Sequence, residues 1–260
     1  LDLTVNTQTT ILTVDIAAYR VFRSRTGITP EVFAGHSLGE YSALCAAGAI
    51  RFSDALRLVQ IRGRLQQEAL SPGAGAMAAV MGLSREETET ACRTLLWETE
   101  EVLEVTGYNA PGQYVVSGHA GAVEGMMGKL KQRRGTVAIR LPISVPCHSS
   151  LLREAAERFR ETLLGVPIDS CRIPVIPNCD PHRLHDRDST VELLVRQIHS
   201  PVRWQETIER MAAMGVRAVV EAGPKKVLSG LVRRIDGNLR IMNVEDRASL
   251  EKTAALLGRA

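Results

Sequence analysis

VFAGHSLGEYSAL, residues Val32–Leu44, decides how this chain is read. Within it Gly35-His36-Ser37-Leu38-Gly39 has the form G-x-S-x-G, in which the serine sits on a sharp strand-to-helix turn with its hydroxyl exposed. Gly and Ser are common enough for such a pentapeptide to arise in ordinary turns, so the flanks must supply a strand before it and a helix after it. EVFAG reads as a short strand and Ser37 to Ala47 as a helix. Upstream, residues 8–24 place Ile11, Leu12, Ile16, Ala17, Val21 and Phe22 near helical spacing, with Gly27 as the stop. Downstream, Ser53 reads as the N-cap of a third helix to about Leu70, with Leu58, Ile61 and Leu65 on its buried side.

The texture changes after Ser71–Gly75. AMAAVMGL, VLEVTGYN, QYVVSG and TVAIRLPI read as strands, and two helical stretches, SREETETACRTLLWE and AGAVEGMMGKLKQRRG, are interleaved with them. The order βαββαβ marks a ferredoxin-like unit. Residues 73–143 are therefore expected to form a small subdomain inserted into a larger α/β one made of 1–72 and 144–260. Beyond SVPCHSS, the segments IPVIPN, VRAVVEAG and LRIMNV alternate with helical patterns. Such alternation predicts a mostly parallel sheet covered on both faces, a hydrolase-like α/β fold.

Bulk properties narrow the function. The chain has 260 residues, 45% hydrophobic and 23% charged, enough for an ample core and too apolar for disorder. No apolar run reaches membrane-spanning length, and no leader pattern opens the chain. A net charge of +3 with few aromatic residues gives no footprint for nucleic acid. Cys45, Cys92, Cys147, Cys171 and Cys179 are scattered and odd in number, which argues against a disulfide framework and a zinc site and fits a reducing cytoplasm.

A serine needs a base within hydrogen-bond reach to act as a nucleophile near neutral pH. Six histidines are available. His36 neighbours the serine on a tight elbow, where its side chain points away. His119 opens a helix and reads as a solvated cap. His182 and His185 lie in DPHRLHDRD, which reads as an exposed loop. His148, where the insert rejoins the larger unit at the mouth of a cleft, is favoured over His199.

GHSLGEYSAL, IRGRLQQEA, GAMAAVMGL, YNAPGQYVVSG, LPISVPCHSSLL, LVRQIHSPVRW and VEAGPKKVLSGL together resemble the malonyl-CoA:acyl carrier protein transacylase family, in order and spacing over nearly the whole chain. The resemblance implies an acyltransferase that takes malonyl from malonyl-CoA onto Ser37 and passes it to the phosphopantetheine thiol of holo-acyl carrier protein, in fatty acid synthesis. It implies His148 as base and acid, a carbonyl at Gln197 as the orienter of the imidazole, and Arg62 as the fork that holds the malonyl carboxylate. The Leu38 N–H is implied as an oxyanion donor, its side chain as a marker of malonyl choice, and Asn109 and His36 as substrate-side polar groups. No metal or redox cofactor is implied, and monomer is the default state. Carrier proteins of this chemistry are acidic, so Lys129–Arg134 with Lys225, Lys226, Arg233 or Arg234 are expected to form a docking face.

The sequence departs from the family in three places. The usual first strand and its G-Q-G loop, source of a second oxyanion donor, have no counterpart ahead of Leu1. Lys225 stands where the family often has glycine, and Pro177 precedes Asn178 at a place often polar. Three alternatives stay open: an esterase or thioesterase, a trans-acting polyketide acyltransferase, and a truncated non-catalytic module that binds carrier. Arg62 as a surface arginine, Gln197 as a helix-surface glutamine and Asn109 as a turn residue are the plain structural readings of those positions.

Overall fold

The computed structural model describes residues 4–258, with side chains from Thr7 onward. The chain opens with a long helix, α1 (Thr4–Thr26), closed by Gly27, whose φ of 67° and N–H to the Arg23 carbonyl form a left-handed cap. A two-residue strand, β1 (Phe33–Ala34), then leads through the serine turn into α2 (Gly39–Ala46) and α3 (Phe52–Glu68). The residue flanking α3 is Arg51 rather than Ser53, and it makes no side-chain cap. Leu12, Tyr41, Leu44, Leu58 and Leu65 from these helices meet Phe159 and Leu163 in the main core.

The inserted unit comprises β2 (Gly75–Met81), α4 (Arg85–Thr99), β3 (Leu103–Ala110), β4 (Gln113–His119), α5 (Ala120–Lys131) and β5 (Val137–Arg140). Its sheet order is β3-β4-β2-β5 and every neighbouring pair is antiparallel, the ferredoxin-like topology. Ser84 caps α4 in a reciprocal box with Glu87. Val80, Val116, Val123 and Met126 fill a core between this sheet and its two helices.

After the insert come α6 (Arg153–Leu164), β6 (Val175–Ile176), α7 (Thr190–Ile198), α8 (Trp204–Ala213), β7 (Ala218–Ala222), α9 (Val227–Ile235), β8 (Arg240–Val244) and α10 (Arg247–Leu256). The parallel sheet is present in two pieces: β1 pairs with β6, and β7 with β8, all parallel. An apolar groove of about 540 Å³ runs between the pieces, lined by Ile16, Phe22, Phe33, Trp204, Val219 and Val232. Among the described residues no strand bridges the two pairs, and EVFAG yields only two paired residues, Phe33 and Ala34.

The two subdomains are stitched together by backbone. The Val202 N–H donates to the Thr106 carbonyl at 3.0 Å, and the Tyr108 N–H donates to the Val202 carbonyl at 2.9 Å. Just beyond, Ala110 is fully buried in a cluster with Val32, Ile176 and Trp204. The end of β3 is thus part of the larger unit's core, and it carries Asn109 to the edge of the serine turn.

Candidate active site

The elbow is built by steric exclusion and held in a strained turn. Ser37 has φ of 53°, in the left-handed region that a side chain disfavours. Gly35 is obligatory: a Cβ there would lie 1.9 Å from the Gly39 carbonyl oxygen. Gly39 is not, since a Cβ at that position meets nothing within 4 Å. Strain at Ser37 is offset by ties to its backbone. Its N–H donates to Asn178 Oδ1 at 2.6 Å, and its carbonyl accepts from Gln197 Nε2 at 2.8 Å. Asn178 Nδ2 in turn donates to the Gly35 carbonyl at 2.7 Å.

His148 reaches the serine from the loop that follows the insert. Its Nε2 lies 2.7 Å from Ser37 Oγ, and its Nδ1 lies 2.7 Å from the backbone carbonyl of Gln197. A carbonyl can only accept, so Nδ1 carries the proton and Nε2 is the free base facing the hydroxyl. His148 also has a left-handed backbone, φ 65°, and is 5% exposed. Burial, and secondarily the positive charge of Arg62, push its pKa down to about 3. The ring is therefore neutral over the whole physiological range, as a general base must be.

Arg62 projects from α3 into this centre and is 2% exposed. Its Nη1 donates to Gln8 Oε1 at 2.8 Å and to Gln66 Oε1 at 3.4 Å. Its Nη2 donates to Ser37 Oγ at 3.2 Å and to Gln197 Oε1 at 3.1 Å. The face of Tyr41 lies below the guanidinium, 5.5 Å from ring centre to Cζ. Among the described residues no carboxylate pairs with Arg62, so a permanent cation stands beside Ser37 Oγ, held by neutral amides.

Gln197 is the hub rather than a helix-surface residue. It is fully buried at the end of α7, and its carbonyl, amide nitrogen and amide oxygen serve His148, Ser37 and Arg62 respectively. Its nitrogen also donates to Glu40 Oε2 at 2.9 Å. Leu38, the next residue after Ser37, is the N-cap of α2 and is 8% exposed in the main core, so its N–H belongs to the head of that helix. His36 and Asn109 meet each other across the subdomain boundary, Nε2 to Oδ1 at 2.9 Å, and His36 tilts against Trp204. Asn109 belongs to β3 and not to a turn.

Two histidine readings are corrected. His185 is 5% exposed, not a residue of an exposed loop: Nε2 lies 2.7 Å from Glu40 Oε1 and Nδ1 lies 3.1 Å from Thr190 Oγ1. His119 stands at the N-cap of α5 as expected, but its side chain is part-buried and makes no bond to that helix; its Nδ1 accepts from the Val102 N–H at 2.9 Å. In the basic run, Lys129 and Arg133 are ion-paired with Glu98 and Glu87 of α4, so part of its charge is already neutralised.

Gln8, Glu40, Gln66, Asn178 and His185 escaped the sequence reading. For Gln66 a signal existed. It lies one turn beyond Arg62, and both fall on the stripe of α3 that buries Leu58 and Leu65, where long polar residues are out of place unless they serve one another.

A serine on a nucleophile elbow, a neutral buried histidine oriented by a carbonyl, and an arginine beside the hydroxyl define an acyl-transfer site that lacks an acidic third member. Comparison with known proteins places it. The family model "Acyl transferase domain" matches residues 1–252. The malonyl CoA-acyl carrier protein transacylase of Haemophilus influenzae is 42% identical over 258 residues, covering 99% of this chain and 82% of its own length. The crystal structure of FabD from Acinetobacter baumannii superposes with a TM-score of 0.95 at 37% identity, covering 100% of this chain and 83% of that one. A type II PKS acyl-carrier protein in complex with its malonyl-transacylase provides a third match, with TM-score 0.93, 38% identity, and 98% and 82% covered. This chain belongs to the malonyl CoA-acyl carrier protein transacylase family. Among its described residues no helix is long and apolar enough to cross a membrane, and no cluster of His, Cys, Asp or Glu is arranged to hold a metal.

Proposed function

We infer that this protein moves a malonyl group from malonyl-CoA to the phosphopantetheine thiol of an acyl carrier protein, through an ester on Ser37. The observation that carries the reading is the contact set at one oxygen: Ser37 Oγ lies 2.7 Å from His148 Nε2 and 3.2 Å from Arg62 Nη2. His148 takes the hydroxyl proton as Oγ attacks the thioester carbonyl, while the charge that develops on that oxygen faces the Leu38 N–H at the head of α2. The C–S bond breaks, and His148 returns the proton to the departing CoA thiolate. In the second half His148 takes the proton of the carrier thiol, the sulfur attacks the ester, the C–O bond breaks, and Ser37 regains its proton. No electrons are exchanged, so the two substrates suffice and no cofactor is called for.

Arg62 gives the acyl preference. Its two outer nitrogens match a carboxylate fork, and an acetyl group would leave that buried cation unpaired. His36 and Asn109 line the substrate side from the two subdomains. Carrier chemistry and five unpaired thiols suit a cytoplasmic monomer. A polyketide carrier is the second reading, favoured by the likeness to the transacylase whose solved complex holds a type II PKS carrier.

The test is intact-protein mass after mixing with malonyl-CoA. A single malonyl adduct is expected on the wild-type chain and none on Ser37→Ala. No wild-type adduct would refute transfer chemistry, and an adduct surviving in Ser37→Ala would refute the nucleophile.

A further inference from the structure

Behind the serine and histidine lies a second, fully enclosed ionisable pair that the acyl transfer described above leaves without a role. Glu40 is 0% exposed, on the second residue of α2. Its carboxylate takes three donors: His185 Nε2 at 2.7 Å on one oxygen, and the Asn178 N–H at 3.0 Å with Gln197 Nε2 at 2.9 Å on the other. The latter two residues hold the nucleophile, one through the Ser37 N–H and the other through the Ser37 carbonyl and, by its own carbonyl, through His148 Nδ1.

His185 is the outer anchor of this array. Its backbone N–H donates to the Val175 carbonyl at 2.9 Å, which fixes it to β6. Thr190 Oγ1 spends its single proton on the Asp186 carbonyl at 2.6 Å and so accepts from His185 Nδ1, which leaves the ring donating at both ends. We propose that His185 is a positioning residue for the acyl-transfer step: by donating to Glu40 it aims that carboxylate at Asn178 and Gln197 and so sets the distance between Ser37 Oγ and His148 Nε2.

Without that donor, Glu40 Oε1 is left buried and unpaired, and the carboxylate has every reason to turn. Rotation releases the amide of Gln197 and the backbone of Asn178 together, and both ends of the serine peptide lose their partner. Substrate contacts are untouched, because neither His185 nor Glu40 reaches the side of Ser37 where the acyl group enters. The effect should therefore fall on the rate of the covalent step and not on affinity.

This inference rests on the function proposed above, and its test separates the two. Wild type, His185→Leu and His185→Gln are compared in single-turnover malonylation across malonyl-CoA concentrations and in sulfonylation by phenylmethanesulfonyl fluoride. In the latter, Ser37 Oγ bonds to sulfur, fluoride leaves and His148 takes the proton. Rates are taken per folded molecule, counted by urea-unfolding amplitude. In His185→Leu both rates should fall by about 10-fold to 100-fold with the half-saturating malonyl-CoA concentration unchanged, the scale expected for a nucleophile displaced by up to an ångström. In His185→Gln, whose Nε2 can still donate to Glu40, they should recover to near wild type. Unchanged rates in His185→Leu, a rise in half-saturation alone, or equal loss in His185→Gln would each overturn the positioning role. A wild type that accepts the sulfonyl group but no malonyl would refute the proposed function and leave the sulfonylation series to decide the role of His185.

Discussion

Protonation of His148 should set the acid limit of the Ser37 reaction, and the structure puts that limit unusually low. Burial first, and the Arg62 guanidinium second, push the ring from 6.5 down to about 3. At pH 5 an ordinary histidine would be only about 3% neutral, whereas a ring titrating near 3 is about 99% neutral. Single-turnover malonylation of the wild-type chain should thus stay level from pH 7 to pH 5, where an unperturbed base would lose about 30-fold. The same shift is a statement about stability. Below pH 6.5 the unfolded chain takes up a proton on this ring and the folded chain does not, so stability is fully present above 6.5 and is lost as pH falls toward the folded value. At pH 5 the loss from this one group is about 2 kcal/mol. Urea unfolding of wild type and His148→Gln at both pH values isolates it: the variant should lose about 2 kcal/mol less between pH 7 and pH 5. An acylation limb near pH 6.5, or equal pH slopes in the two chains, would refute the argument from burial and Arg62.

Arg62→Lys keeps the charge but not the fork, so kcat/KM for malonyl-CoA should drop by about 10-fold to 100-fold while any slow reaction with acetyl-CoA changes less; equal losses for both would remove Arg62 from acyl selection. Gly35→Ala forces a Cβ to 1.9 Å from the Gly39 carbonyl oxygen and should cost at least about 3 kcal/mol in urea unfolding, whereas Gly39→Ala, which meets nothing, should be neutral or gain up to about 1 kcal/mol. Lys225 sits at φ 70°, held by its own N–H to Glu245 Oε2. Lys225→Gly keeps that bond and removes the left-handed strain, so it should raise stability by about 0.5–1 kcal/mol, read as a shift in thermal midpoint.

What the sequence made legible was whatever repeats or recurs. Helical spacing around Leu12 and Ile16 and the βαββαβ order of the insert both correspond to elements of the structure. The serine turn announced itself because its glycine spacing encodes a backbone shape. The parallel sheet of the larger unit is there in the pairs β1-β6 and β7-β8, whereas a run such as EVFAG records apolar character and not how many of its residues pair. The supporting polar groups were hidden for a different reason. Glu40 looks like an ordinary acid in the first turn of a helix, where the dipole welcomes it, and His185 sits among six charged or polar neighbours in DPHRLHDRD. Each acquires its meaning only from a partner 145 residues away. Polar pairs of that separation leave no periodic trace.

The stitching of β3 to Val202 bears on how such enzymes can be recombined. An insert joined only by its two chain crossings could be exchanged like a cartridge. Here Thr106 and Tyr108 share hydrogen bonds with Val202, and Ala110 is buried with Trp204. Cutting at 73 and 143 would orphan both polar atoms of the Val202 peptide and open a hole beside Val32. The unit of exchange between relatives is therefore discontinuous: residues 73–143 must travel together with the stretch around 200–204, or a chimera will inherit the fold of each parent and the cleft of neither.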